Sequence, residues 1–259
     1  MPGSDLDLLT EAAQQAGEIA MRYWKRSPEA WEKEGGAGPV TVADLAVNDM
    51  LVSELRRARP DYGWLSEETP DTTDRLAAER CFIIDPIDGT RAFMDGTPDF
   101  AHSLAIAERG EVIAAVVFLP AQNRLYSASN SIPAMLNCEP LSVTGTASAE
   151  GATVLTARPN LAPEHWRDGA PPSVRRMFRS SLAWRLALVA EGAFDAMLTL
   201  RPTWEWDVAA GSLIAERAGA LVTDRAGRKL RFNNNADPRV AGCIAATPAV
   251  HGGLLAALK

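Results

Sequence analysis

The chain has 259 residues, 47% of them hydrophobic, and 26 Lys and Arg against 33 Asp and Glu give a net charge of −7. That is one large domain or two small intimate ones with ample material for a core, which excludes a disordered chain. No apolar run reaches the ~18–20 residues of a membrane span, Met1 to Thr10 carries Asp5 and Asp7 instead of a basic leader, and an acidic chain is a poor nonspecific nucleic-acid binder.

In chain order, Leu6, Leu9, Ala13, Ala16, Ala20 and Tyr23 recur at three and four residues and predict one face of an amphipathic helix. Pro28 and the run Gly35-Gly36-Ala37-Gly38-Pro39 predict a mobile turn or hairpin tip. Val47, Leu51, Leu55 and Ala58 predict a second helix from about Val42 to Arg59, ended by Pro60. Cys81–Ile84 reads as a short buried strand running into Asp85, and Ser103–Ala107, Val112–Phe118 and Arg124–Ser127 as further strands joined at Arg109-Gly110 and Gln122-Asn123. The irregular tract from Asn130 to Ala149 marks a boundary within a single 259-residue unit, between an N-terminal half (1–140) and a C-terminal half (141–259). Beyond it, strands are predicted at Thr153–Ala157, Val174–Ser180, Phe194–Leu200, Leu221–Thr223, Leu230–Phe232 and Cys243–Ala246. Helices are predicted at Leu182–Ala190, Asp207–Ala218 with Gly219 as its stop, and Pro248–Leu258. Strands mixed with layered helices imply an α+β or α/β sandwich.

Cys81, Cys138 and Cys243 are scattered and odd in number, which excludes a disulfide framework or a Cys-based zinc site and leaves three small buried hydrophobes in a reducing cytosol. Three dispersed histidines, His102, His165 and His251, make no metal cluster, so any metal chemistry rests on oxygen ligands.

Those oxygens are concentrated in Asp85-Pro86-Ile87-Asp88-Gly89-Thr90. Two carboxylates sit three apart at the end of an apolar strand, Pro86 stiffens the turn, and Gly89 lets the backbone approach a ligand. Thr90 opens a helical turn whose free N–H groups suit a phosphate. Hard oxygens beside an anion cradle describe a magnesium-dependent phosphoryl site; the plainer reading is a strand-to-helix turn capped by Asp88. Asp85 and Asp88 are separated by two residues, whereas the haloacid-dehalogenase nucleophile motif separates its aspartates by one, so direct attack by water is expected. Glu67-Glu68 alone is an acidic turn, Asp207 alone a helix cap, and Thr41-Val42-Ala43-Asp44 alone a helix start.

Together and in this order, Val40-Thr41-Val42-Ala43-Asp44, Glu67-Glu68, Asp85-Pro86-Ile87-Asp88-Gly89-Thr90 and Trp206-Asp207-Val208-Ala209-Ala210-Gly211 resemble the inositol monophosphatase family, over a span from Lys33 to about Gly219. The resemblance implies a layered αβαβα sandwich and a cytoplasmic, lithium-sensitive, homodimeric phosphomonoesterase. It implies two or three Mg²⁺ per subunit and a small phosphorylated metabolite as substrate, with no nucleic-acid or membrane partner. It assigns Glu67, Asp85 and the Ile87 carbonyl to one cation and Asp85, Asp88 and Asp207 to a second. Asp44 then serves a third, looser cation and pairs with Thr90 to orient the attacking water. Gly89 and Thr90 hold phosphate oxygens, along with Asp88 and Asp207, and Lys33 stands on a loop that closes near the site. Crowded carboxylates repel one another and call for cations.

Substrate identity stays open at this level. The segment Asp195–Arg201 lacks the glutamate that inositol-specific members carry there, and Glu205 is only two residues before Asp207, so it points elsewhere. Ala190-Glu191-Gly192 and Glu205-Trp206-Asp207 look like 3′(2′),5′-bisphosphate nucleotidases, and Thr90-Arg91-Ala92-Phe93 looks like the histidinol-phosphatase branch. Arg175, Arg176, Arg179 and Arg185 are candidates for a second phosphate or a solvated face; Trp184 and Trp204 for stacking on a purine or for packing. A regulatory binding module that kept a metal site is the reading of another class.

Overall fold

The computed structural model describes residues 3–33 and 38–259. The predicted turn at Gly35-Gly36-Ala37 lies outside the described residues. On either side of it Ala30–Glu32 pairs antiparallel with Pro39–Thr41, and the Lys33 amide donates to the Gly38 carbonyl.

Among the described residues, six helices and two principal sheets form five layers. The outer layer holds α1 (Asp5–Tyr23) and α2 (Val42–Ala58). Each starts at a reciprocal cap, Ser4 with Asp7 and Thr41 with Asp44, in which the hydroxyl takes a backbone N–H and the acid returns the favour. Their apolar faces bury Leu9, Ala13, Leu51 and Leu55 against Phe82, Ile84, Leu104 and Val116 of a seven-stranded sheet. That sheet runs Gly63–Ser66, Arg80–Asp88, Ala101–Glu108, Glu111–Leu119, Arg124–Ser129, Met135–Leu136 and Glu139–Pro140 in spatial order, with only its first pair parallel. Its other face packs on α4 (Leu182–Ala190) and α5 (Glu205–Arg217), the middle layer. The short helix α3 (Thr90–Met94) lies between, next to the site. A five-stranded sheet follows, ordered Arg175–Met177, Thr153–Thr156, Ala196–Thr199, Cys243–Ala246, Leu221–Thr223, and α6 (Pro248–Ala257) closes the far side. The expected αβαβα sandwich is the architecture.

α4 is buried along its whole length because sheets lie on both sides of the layer it occupies. Gly211 makes the contact between α4 and α5 possible: a Cβ there would stand 2.5 Å from Cβ of Leu186.

Several expectations are corrected. Leu230–Phe232 forms no strand; its two apolar side chains are buried in the core, but its backbone makes a single bond, Phe232 N–H to the Gly110 carbonyl, in place of a ladder. The strand expected over Val174–Ser180 is limited to Arg175–Met177, an edge, and the following residues lead into α4. The tract from Asn130 to Ala149 contributes two 2-residue strands to the large sheet. α5 begins two residues before Asp207, so Asp207 lies inside the first turn and is not the cap. Cys138 is exposed in a left-handed turn at φ 72°, while Cys81 and Cys243 are buried.

Candidate active site

Asp85 and Asp88 close the strand Arg80–Asp88. Strict alternation would send residues three apart to opposite faces of a sheet. Here the register slips by one residue, Asp85 opposite Ser103 but Asp88 opposite Ala101, and this bulge brings both carboxylates to one side. The Ile87 amide donates to Asp85 Oδ1 at 3.0 Å, and a ring nitrogen of the buried His102 pairs with the Pro86 carbonyl, fixing the turn. Gly89 then adopts φ +99°, where a Cβ would also meet the Asp99 carbonyl oxygen at 2.9 Å. Two independent constraints therefore require glycine there.

The other acids arrive from neighbouring elements. The parallel pairing of Gly63–Ser66 with Arg80–Asp88 sets Ser66 opposite Ile84, so Glu67 follows beside Asp85, and the Glu67 amide donates to the Ile84 carbonyl. Ser103 Oγ donates to the Trp206 carbonyl at 2.9 Å, tying the start of α5 to the large sheet and setting Asp207 against Asp85 and Asp88. One oxygen from each of Asp85, Asp88 and Asp207 lies within 4.8 Å of the others. Asp44 spends Oδ2 on its cap with Thr41 and turns Oδ1 to the Thr90 hydroxyl at 3.3 Å. The capping and functional readings of that residue are thus both true of its geometry. Lys33 Nζ reaches Glu67 at 2.7 Å and Glu68 at 2.6 Å.

Asp44, Glu68, Asp85, Asp88 and Asp207 are held against their ordinary charge. Burial, then Glu67, Asp88 and Asp207, raise the Asp85 carboxyl well above its usual range; burial, then Asp88 and Glu67, do the same to Asp207. Burial lifts Asp88 to about 6, even though Oδ2 accepts from Ser181 Oγ and the Ala183 amide, both at 2.7 Å. Burial lifts Asp44 to about 6 and Glu68 to about 7. Burial alone would depress Lys33, but Glu67 and Glu68 outweigh it and hold its ammonium above its usual value. Clustered hard oxygens whose ionised state is costly fit a divalent cation, which would relieve the desolvation and the repulsion together.

The acids open into a cleft of about 860 Å³, lined among others by Gly89, Thr90, Phe178, Arg185, Arg201 and Trp204. Of the four arginines singled out in the sequence, only Arg185 lines it. Arg176 donates to the Thr156 carbonyl, and Arg179 lies over the Trp184 and Phe194 rings. Neither tryptophan has a face for a base. Trp184 is buried beneath Arg179, and Trp204 is stacked on Trp206 at 4.7 Å and 9° with the Arg239 guanidinium over its ring. Glu205 does point elsewhere, to the Asn233 amide. Sequence reasoning missed Glu68, Ser181, His102, Arg201 and Arg225 at or beside the site. Two had a local signal, Glu68 as the second acid of the Glu67-Glu68 turn and Ser181 as a cap three residues before Trp184.

The sequence pattern of the inositol monophosphatase family matches residues 4–259. The chain belongs to the inositol monophosphatase family. It is 35% identical to the inositol-1-monophosphatase of Rhizobium meliloti over 86% of each chain, and 30% identical to the Escherichia coli 3′(2′),5′-bisphosphate nucleotidase CysQ over 88% of this chain and 93% of that one. A Thermotoga maritima IMPase has the same fold, with a TM-score of 0.82, 30% identity and coverage of 97% of this chain and 95% of the other. As an inositol monophosphatase family member the chain is a phosphatase, a hydrolase.

Proposed function

We propose that the chain is a Mg²⁺-dependent phosphomonoesterase that hydrolyses a small phosphorylated metabolite by direct attack of water. The observation that carries this is the meeting of Asp85, Asp88 and Asp207 oxygens within 4.8 Å at the edge of an open cleft. Glu67, Asp85 and the Ile87 carbonyl would hold one cation, Asp85, Asp88 and Asp207 a second, and Asp44 a third, looser one. When bound, such ions neutralise the phosphoryl oxygens and lower the pKa of water.

The chain's own groups supply the rest. Gly89 and Thr90 orient the phosphoryl oxygens through their amides and the Thr90 hydroxyl, with the glycine leaving the backbone bare for close approach. The Thr90 hydroxyl, which donates to Asp44 Oδ1, orients the attacking water and relays its proton toward that carboxylate. The new P–O bond forms as the ester P–O bond breaks, and the leaving oxygen takes a proton from solvent, giving inorganic phosphate and an alcohol. Positioning and charge stabilisation, with no covalent enzyme intermediate, account for the rate. The curated relatives support inositol-phosphate-type substrates as one class and nucleoside bisphosphates as another.

The test is phosphate release with Mg²⁺ from inositol 1-phosphate, 3′-phosphoadenosine 5′-phosphate and histidinol phosphate. Turnover that Asp88→Asn abolishes in a folded protein supports the reading. Equal turnover after chelation overturns it.

A further inference from the structure

The bulge that unites Asp85 and Asp88 is opposed by a single residue. With Asp85 opposite Ser103 and Asp88 opposite Ala101, the step Pro86-Ile87 faces His102 alone. The peptide between Pro86 and Ile87 is one rigid plane, and it is held at both ends. Its carbonyl pairs with Nδ1 of His102, and its N–H donates to Asp85 Oδ1 at 3.0 Å. A carbonyl only accepts, so Nδ1 carries the proton. Burial lowers the His102 pKa to about 4 against the pull of that carbonyl, so at neutral pH the ring is uncharged and Nε2 is a bare acceptor.

Packing alone gives no reason for this ring. Strand alternation puts the fully buried His102 on the face with Phe100, Leu104 and Ile106, which packs under α1. Its ring centroid is 6.5 Å from that of Phe100 and 6.3 Å from that of Phe118. Among the described residues Nε2 has no protein partner. An acceptor without a partner among phenyl rings lowers stability where an apolar side chain would not. What the ring has and phenylalanine lacks is the Nδ1 proton. The next residue, Ser103, faces the opposite layer and bonds the Trp206 carbonyl. Successive residues of one strand therefore hold the backbones that carry Asp85 and Asp207.

We propose that His102 is a positioning residue: its Nδ1–H sets the plane of the Pro86–Ile87 peptide, and through it the aim of Asp85 and the Ile87 carbonyl and the site's affinity for a divalent cation. This rests on the metal-dependent reading above. The ring does not line the cleft, so its effect falls on ion binding and not on the chemical step.

The experiment separates the Nδ1 donor from the bulk of the ring. His102→Phe and His102→Leu remove the donor and keep an apolar side chain. His102→Asn places an amide N–H where the ring has Nδ1–H. Mg²⁺ affinity is read by titration calorimetry, and kcat by phosphate release over a Mg²⁺ series. Losing a partner that orients a metal ligand typically costs 10–100-fold in affinity. His102→Phe is expected to bind Mg²⁺ about tenfold or more weakly, with kcat recovered at saturating Mg²⁺, and His102→Asn to regain most of the affinity. Melting in chelator should run the other way, His102→Phe above His102→Asn, because Asn leaves a cavity among the rings and an unpaired oxygen of its own. The opposed orders sustain the proposal. A packing role makes affinity and Tm fall in the same order; that result, or wild-type Mg²⁺ affinity without the donor, overturns it. His102→Leu carries the comparison if His102→Phe does not fold. If wild-type protein neither binds Mg²⁺ nor cleaves a phosphoester, the metal-dependent reading fails. Hydrogen exchange at the Ile87 amide in chelator then decides the positioning by itself: faster exchange in His102→Phe that His102→Asn reverses sustains it, and equal exchange overturns it.

Discussion

Replacing Asp88 by Asn should make the metal-free protein more stable while destroying turnover. Burial raises the Asp88 carboxyl from its usual 3.8 to about 6, so at neutral pH the folded state carries a charge that the unfolded state carries more easily. The rise corresponds to about 3 kcal/mol of destabilisation in the charged form. The sign follows from which state holds the proton. Between about pH 4 and 6 the folded protein binds it more tightly, so stability falls as pH rises through that window and stays low above it. Asn keeps an oxygen for Ser181 Oγ and the Ala183 amide and removes the charge. For a chain of this size, about 3 kcal/mol is roughly 6–12 °C in Tm. The assay is calorimetry in chelator at pH 7.5 and again near pH 4. Asp88→Asn should melt higher at the first pH and converge on wild type at the second, and Mg²⁺ should raise the wild-type Tm more than the variant's. A chelated variant that melts at or below wild type at pH 7.5 would refute the view that the acids are held against their charge.

Four further outcomes are expected. Thr90→Ala and Asp44→Asn should each lower kcat by about 10²–10³, the usual worth of positioned proton transfer, and steady-state kinetics at saturating Mg²⁺ will show whether the two losses overlap, as one linked pair requires. Lys33→Gln removes a competing ammonium 2.7 Å from Glu67, so half-maximal activation should need several-fold less Mg²⁺, and an increase would contradict that placement. Gly211→Ala should cost about 1–3 kcal/mol by driving α4 from α5, read by urea denaturation. Burial holds Glu205 at about 7, above its usual 4.5, so its charge weakens the fold as pH rises from about 4.5 to 7; Glu205→Gln should flatten that part of a stability–pH curve.

The features legible in the sequence were those encoded locally. Three- and four-residue recurrence located α1 and α2, the apolar run before Asp85 located the central strand, and the spacing of Asp85 and Asp88 marked the acid cluster. What the sequence concealed depends on partners far along the chain. The bulge that unites Asp85 and Asp88 is visible only against Ala101 and Ser103. The two readings left open for the arginines divide for the same reason: Arg175, Arg176 and Arg179 lie off the cleft, and of the four only Arg185 lines it, with Arg201 and Arg225 from later in the chain. Leu230–Phe232 has strand-like alternation because its apolar side chains reach the core, yet burial alone does not supply a partner edge.

The amino end of α4 has a consequence of its own. Its Ala183 amide donates to a carboxylate 95 residues earlier in the chain, one that belongs to the acid cluster. A helix fastened in this way senses the electrical state of the site. When Asp88 takes up a proton, the bond to Ala183 weakens and that amide opens to solvent more often; when the carboxylate is ionised, the amide is held. Hydrogen–deuterium exchange at Ala183, set against the intrinsic pH dependence of a free amide, is therefore a readout of the cleft's charge that needs no substrate.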